Sequence, residues 1–202
     1  MEKFTVLRAI AAPLLRENID TDIVIRIERL VGASSRSALG RYAFESWRYR
    51  PDGSEEPSFV LNREPYRRAQ ILLAGRNFGC GSSREGAVWA LKQMGFRAVL
   101  APSFGDIFFN NCFQNGALPI RLPVERVARL RVILHELPGA TLAIDLAAQT
   151  VVGPDGQTDK FDIDSFRKDM LLKGTDSIDF TLGYAQDIAR FEDGQRRDMP
   201  WL

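Results

Sequence analysis

Histidine and cysteine are almost missing from this chain: His135 is the one histidine, and Cys80 and Cys112 are the two cysteines, in 202 residues. Two thiols cannot supply a four-ligand zinc or iron–sulfur site, and their spacing fits no C-x-x-C pattern. No metal site and no bound cofactor are therefore expected on this chain, and a reduced, cytoplasmic setting is the default. A Ser-His-Asp triad would rest on His135, which sits in a helical pattern and reads as a surface or packing residue. An excess of one charge sign is also lacking. With 27 basic and 26 acidic residues the net charge is +1, which argues against a general nucleic-acid binder and against disorder. Long apolar runs are absent too. The stretch 9–15 is seven residues, is broken by Pro13 and follows Arg8, so no signal peptide is expected. Nothing approaches the roughly 20 apolar residues that span a bilayer, so no membrane role is expected. Internal repeats, low-complexity tracts and linkers are missing, which points to one domain over 1–202 with a polar, loose tail at about 192–202.

What is present is a chain that is 45% hydrophobic, enough at this length to bury roughly 70% of its unfolded surface without staples. Residues 1–101 carry a charge near +5 and residues 102–202 near −4, and arginine outnumbers lysine 22 to 5. The densest basic stretch runs from Arg26 to Arg50. It reads as a solvated face or as a surface for an anionic ligand, which the planar guanidinium fork suits.

Pattern reading predicts a strand over 3–12, a turn over 18–22 and a short β-branched strand over 23–27. Buried strands follow at 71–74, 98–101 and 118–122. Helices are expected over 84–94, from a cap at Ser103 to about Asn115, and over 124–137. A hairpin at 141–152 and helices at 165–173 and 178–191 complete the chain. The strand–helix alternation over 71–137 defines an α/β core with a parallel section.

Between the first buried strand and its helix lies Gly75-Arg76-Asn77-Phe78-Gly79-Cys80-Gly81-Ser82-Ser83. Glycines let backbone approach a ligand, and a helix start offers unpaired N–H groups and about half a positive charge. Ser82 and Ser83 add hydroxyls and Arg84 a fixed cation, so the segment is suited to an anion. The bland alternative is a tight strand-to-helix connection with Ser82 as its cap. G-x-G-x-x-G would need glycine at Arg84, the P-loop lysine is missing, and a G-x-S-x-G elbow on Ser83 fails at Glu85. Cys80 reads as a small packing residue.

The run from Gly79 to Glu85 resembles the G-x-G-S-S-R-E signature of the aconitase swivelling-domain family, and within it the small subunits of isopropylmalate isomerases. Asn18-Ile19-Asp20-Thr21-Asp22 is similar to the family's N-x-D-T-D, and Phe59-Val60-Leu61-Asn62 to its F-V-L-N. The run from Ala101 to Phe108 matches A-P-S-F-x-D-I-F, and Asp176-Ser177-Ile178 with Leu182 is similar to its last helix. The matches span most of the chain in order.

The resemblance implies a three-layer β/β/α swivelling fold of the aconitase type. It implies interconversion of 2- and 3-isopropylmalate by dehydration and rehydration in leucine biosynthesis, a hydro-lyase reaction. It implies a larger partner subunit carrying a [4Fe–4S] cluster, and a small hydroxy-dicarboxylate as substrate. By the same resemblance Ser82 is the base, working as an alkoxide, and Ser83 and Arg84 hold substrate carboxylate. Arg36, in Ser35-Arg36-Ser37-Ala38, is a candidate carboxylate ligand or lid residue. Gly79, Gly81, Asp20, Thr21 and Asp22 would shape the site, although the last three serve equally well as turn caps. The pattern departs at Gly86, where the family carries histidine, and at Val88 and Arg26, where it carries proline. A paralogous hydro-lyase acting on another substituted malate, a non-catalytic anion-binding or assembly module, and a phosphate- or nucleotide-binding domain are the competing readings.

Overall fold

The computed structural model describes residues 1–31, 36–81, 84–199 and 201, with Arg36 and Ser37 described through their backbone alone. Two short runs in which every residue is buried, β2 (Ile71–Ala74) and β3 (Ala98–Ala101), form the middle of a sheet. They pair in parallel with each other, with β1 (Val6–Leu14) on one side and with β4 (Leu118–Arg121) on the other. The first half of β1 then pairs antiparallel with β5 (Thr141–Asp145). β6 (Thr150–Val152) and β7 (Thr158–Lys160) extend the sheet, giving the order β4-β3-β2-β1-β5-β6-β7.

Side chains alternate across the pleat, so each strand feeds two cores. Leu72, Ala74, Val99 and Ala101 face α4 (Gly86–Gln93) and α5 (Asp106–Gln114) through Ala87, Leu91, Phe108 and Cys112. Ile71, Leu73, Ala98 and Leu100 share the other core with Leu142, Ile144 and Val151, because the sheet curls and lays its antiparallel half over the parallel one. The helix α6 (Val124–Glu136) closes this second core with Val127, Leu130 and Leu134. Two β layers and one helical layer result, which is the expected β/β/α architecture of the aconitase type.

Several local expectations are corrected. Residues 23–27 are not a strand. Asp20 accepts the Ile23 N–H at 2.7 Å and caps α1 (Thr21–Val24), and α2 (Ile27–Val31) follows. Ser103 does not cap α5. Its hydroxyl accepts the Asn77 N–H at 2.9 Å, and Gly105 takes the cap position. β7 has no counterpart in the sequence reading. The expected helix at 178–191 divides into α8 (Ser177–Leu182) and α9 (Ala185–Asp198), following α7 (Ser165–Lys173). The helix α9 continues through most of the segment expected to be loose. It buries no residue, and ion pairs one turn apart, Arg196 with Glu192 and Asp193, lie along it.

Candidate active site at the carboxyl edge of the parallel strands

The chain leaves β1, β2 and β3 at one edge of the sheet, the edge where open α/β folds place ligands. The three exits are stitched together by backbone. The Gly79 N–H donates to the Ile19 carbonyl at 2.7 Å and the Thr21 N–H to the Cys80 carbonyl at 3.0 Å. On the far side the Phe78 N–H donates to the Ser103 carbonyl at 3.1 Å and the Gly105 N–H to the Phe78 carbonyl at 2.9 Å. The glycine turn is thus the central rung between the 18–22 segment and the 101–106 segment.

Two asparagines fix the same arrangement; sequence reading placed Asn18 in the 18–22 turn and motif and gave Asn77 no role. Asn18 and Asn77 both hold left-handed backbone, with φ of 54° and 56°, and the Asn77 amide donates to the Asn18 side-chain oxygen at 2.9 Å. Asparagine tolerates that conformation better than most residues. The available signal was an asparagine in each of two turn-rich segments.

Glycine is required at two positions by different causes. Gly79 has φ +72°, and a Cβ there would overlap the Phe108 ring, with Cδ1 at 2.6 Å. Phe108 cannot move aside cheaply, because it is buried edge-on to Phe78 with ring centroids 5.3 Å apart. Gly105 leaves room for the turn itself, since a Cβ there would stand 2.9 Å from the Cys80 Cα. Gly79→Ala is expected to lower stability by about 2–3 kcal/mol through left-handed strain plus overpacking, measured by urea unfolding of the free chain.

Of the expected site residues, Gly79, Gly81, Asp20, Thr21, Asp22 and Arg84 come together here. Gly81, at φ +89°, is exposed, with the Asp20 Cβ among its few neighbours. Asp20 and Thr21 serve as cap and ladder residues of the turn. Arg84 forms an ion pair through Nη1 with Asp22, whose side chain is the more exposed of the two. The fork is therefore held at the mouth of the turn by a carboxylate from the first turn of α1. Ser82 and Ser83 lie outside the described residues. Arg36 opens a 3₁₀ helix, Arg36–Tyr42, that packs against the end of α4, where a Cβ on Gly40 would meet the Gln93 carbonyl carbon at 2.8 Å. Its side chain lies outside the description, so it is not placed in the site.

Helix α4 begins at Gly86 rather than at Arg84, and Glu85, in its cap position, makes no side-chain capping bond. Gly86, the departure from the family's histidine, is buried against α2, where a Cβ would meet the Leu30 methyls at 2.5 Å. The basic stretch is partly committed elsewhere. Arg29 makes a bidentate pair with Glu45 at 2.9 and 2.6 Å, and Arg48 donates to Asn62 and to the Gly40 carbonyl. Arg26, Arg41 and Arg50 line a cleft of about 770 Å³ with Tyr42, Glu45 and Tyr49.

Cys112 is a buried packing group of the helical core, whereas Cys80 is half-buried in the turn. Burial, and secondarily the Asp20 carboxylate, push the Cys80 thiol up, and complete burial pushes the Cys112 thiol up. Neither favours a thiolate. Among the described residues no group of three or more His, Cys, Asp or Glu side chains is placed to hold a metal. This donor set does not fit an iron–sulfur cluster. No helix among the described residues is long and apolar enough to cross a membrane.

A curled mixed sheet with a glycine turn stapled at its parallel edge defines an aconitase-type swivelling domain. The family model for the aconitase C-terminal domain matches residues 1–125, and a LeuD_N model matches residues 128–165. A 3-isopropylmalate dehydratase small subunit from Paramagnetospirillum magneticum is 50% identical over the whole of both chains. Another from Gluconacetobacter diazotrophicus is 53% identical over 100% of this chain and 97% of its own. The solved structure of a 3-isopropylmalate dehydratase from Methanocaldococcus jannaschii superimposes with a TM-score of 0.66 at 24% identity. It covers 92% of this chain and 98% of its own, a likeness of fold. The chain belongs to the family of 3-isopropylmalate dehydratase small subunits.

Proposed function

We infer that the chain works as the small subunit of a 3-isopropylmalate dehydratase, a hydro-lyase of leucine biosynthesis that is active in company with a large subunit. The end-to-end match at 50% identity carries this reading. Dehydration removes a proton from one carbon and hydroxide from its neighbour, and rehydration reverses the sense. The chain's own share is the proton and the carboxylates. Ser82 takes the proton from the carbon beside a carboxylate, as an alkoxide supported by amides of the turn and the start of α4. Arg84 and Ser83 hold a carboxylate of a small hydroxy-dicarboxylate, and Arg36 closes on its side chain. Asp22 keeps the Arg84 fork aimed until that carboxylate arrives.

The donor set described above does not fit a [4Fe–4S] cluster, so any cluster of this aconitase-type enzyme belongs on the large subunit. We read the chain as one domain over 1–202, working in the cytoplasm, with no nucleic acid as partner. The filled space at Gly86 and the cation at Arg26 favour a second reading, a paralogous hydro-lyase acting on another substituted malate.

The test is the purified pair under anaerobic conditions against 2-isopropylmalate and a panel of substituted malates. Turnover of 2-isopropylmalate supports the reading, and preference for another malate moves the assignment to the paralogue. In the same assay Arg84→Lys is expected to raise KM about ten- to a hundred-fold, because a point charge cannot keep the bidentate geometry of the fork. An unchanged KM would remove Arg84 from the carboxylate site.

A further inference from the structure

The last two helices, α8 and α9, contain no fully buried residue, yet they carry large apolar side chains. Ile178 and Leu182 are 69% and 63% exposed, and Ile188 and Phe191 are 40% and 72% exposed. Each pair sits at i,i+3 or i,i+4 spacing, so each makes a stripe on one helix face. Exposed apolar side chains paired on one helix face are the kind of patch that marks an interaction surface.

The segment is built rather than trailing. Asp176 caps α8 in a reciprocal capping box with Asp179. The Phe180 ring sits between Phe166 of α7 and Tyr184 before α9, with centroids 4.9 and 5.3 Å apart. The curated small subunit matched along its whole length includes the segment as well.

Position says what covers it. A groove of about 1100 Å³ runs from Glu85, the residue after Arg84, past α5 and α7 to Asp176 and Ile178 at the start of α8. The apolar arm therefore begins on the rim of the candidate active site. A second copy seated on this face would lie over the groove that leads to the turn and hinder any other protein from reaching it. A subunit that approaches the turn from outside meets the arm on the way.

We propose that the C-terminal arm, α8 with α9, is a docking element that grips the large subunit at the rim of the active site. The proposal rests on the functional reading above, since only that reading supplies a large subunit. The experiment titrates the large subunit with the full chain carrying Leu182→Glu or Phe191→Glu. Val132→Glu serves as control, on an exposed position of α6. Each arm variant is expected to weaken association roughly thirty-fold or more, the loss typical of a hot-spot side chain. The control should bind like the parent, and the free chains should melt together.

Arm variants that bind like the parent, while the parent pair turns over 2-isopropylmalate, would overturn the arm and leave the functional reading standing. Arm variants that only dissolve a self-associated free chain would make the face a self-interface and overturn the proposal. A drop in the free chain's melting temperature would mean that the arm packs on its own domain, again against it. A parent chain that fails to bind the large subunit would overturn both.

Discussion

Replacing Ser82 with alanine should lower kcat of the assembled pair by about 10³-fold or more, with association to the large subunit unchanged. The size of the loss follows from the scarcity of other bases around the turn. His135, an exposed residue of α6, belongs to the helix that closes the opposite core. Cys80 is held toward its neutral form, Asp20 is occupied by the Ile23 N–H, and Asp22 is paired with Arg84. Among the carboxyls left near the turn, Glu85 follows Arg84 directly and opens onto the groove toward α8. Glu85→Gln is therefore the companion variant. Loss of turnover in Ser82→Ala with retention in Glu85→Gln assigns the proton to Ser82. The reverse pattern would transfer the role to Glu85 and end the alkoxide account. Gel filtration of each pair separates lost chemistry from lost assembly.

That site was legible in sequence where the physics is local. An all-apolar run such as 71–74 or 98–101 has one sensible place, a strand buried on both faces, and both appear within those bounds. Glycine at 79 announces a backbone conformation that other residues resist. Legibility failed where one interaction outweighed a propensity. The β-branched run 23–27 lost to a carboxylate three residues upstream of Ile23, because a capped first turn satisfies amides that no neighbouring strand reaches. β7 is Thr-Asp-Lys, an edge strand whose pairing with β6 leaves no apolar signature. Pairs far apart in sequence left no trace at all. Arg84 meets Asp22 across 62 positions, and Asn77 meets Asn18 across 59. The elements that position the site are therefore readable from composition, whereas the contacts that aim its side chains exist only once the sheet has assembled.

The largest stability loss is expected at a residue with no part in the chemistry. Arg126 on α6 is buried, and it donates from Nη1 to Asp155 at 2.7 Å and from Nε to Asp159 at 2.5 Å. It thereby ties α6 to the β6–β7 hairpin, the outer part of the curled half of the sheet. Arg126→Met keeps much of the side chain's bulk and removes the charge, leaving two carboxylates without their shared partner. Removing one member of a buried pair costs about 3–5 kcal/mol. Both carboxylates here keep some contact with water, which places the loss nearer 2–4 kcal/mol. For a domain of this length that corresponds to a fall in Tm of roughly 5–15 °C. The acid limb supplies an independent signature. The hydrogen bond from Arg126 holds the Asp155 carboxyl down to about 2, below its ordinary value. A carboxylate whose pKa is depressed by folding stabilises the native state above the ordinary carboxylate range, and that stabilisation is lost as pH falls toward 2. The parent chain should therefore lose stability steadily between about pH 4 and pH 2, and Arg126→Met, already without the pair, should lose less over the same interval. Parallel acid slopes for the two chains would mean that the pair contributes nothing to folding, and that packing alone holds the curled half of the sheet against α6.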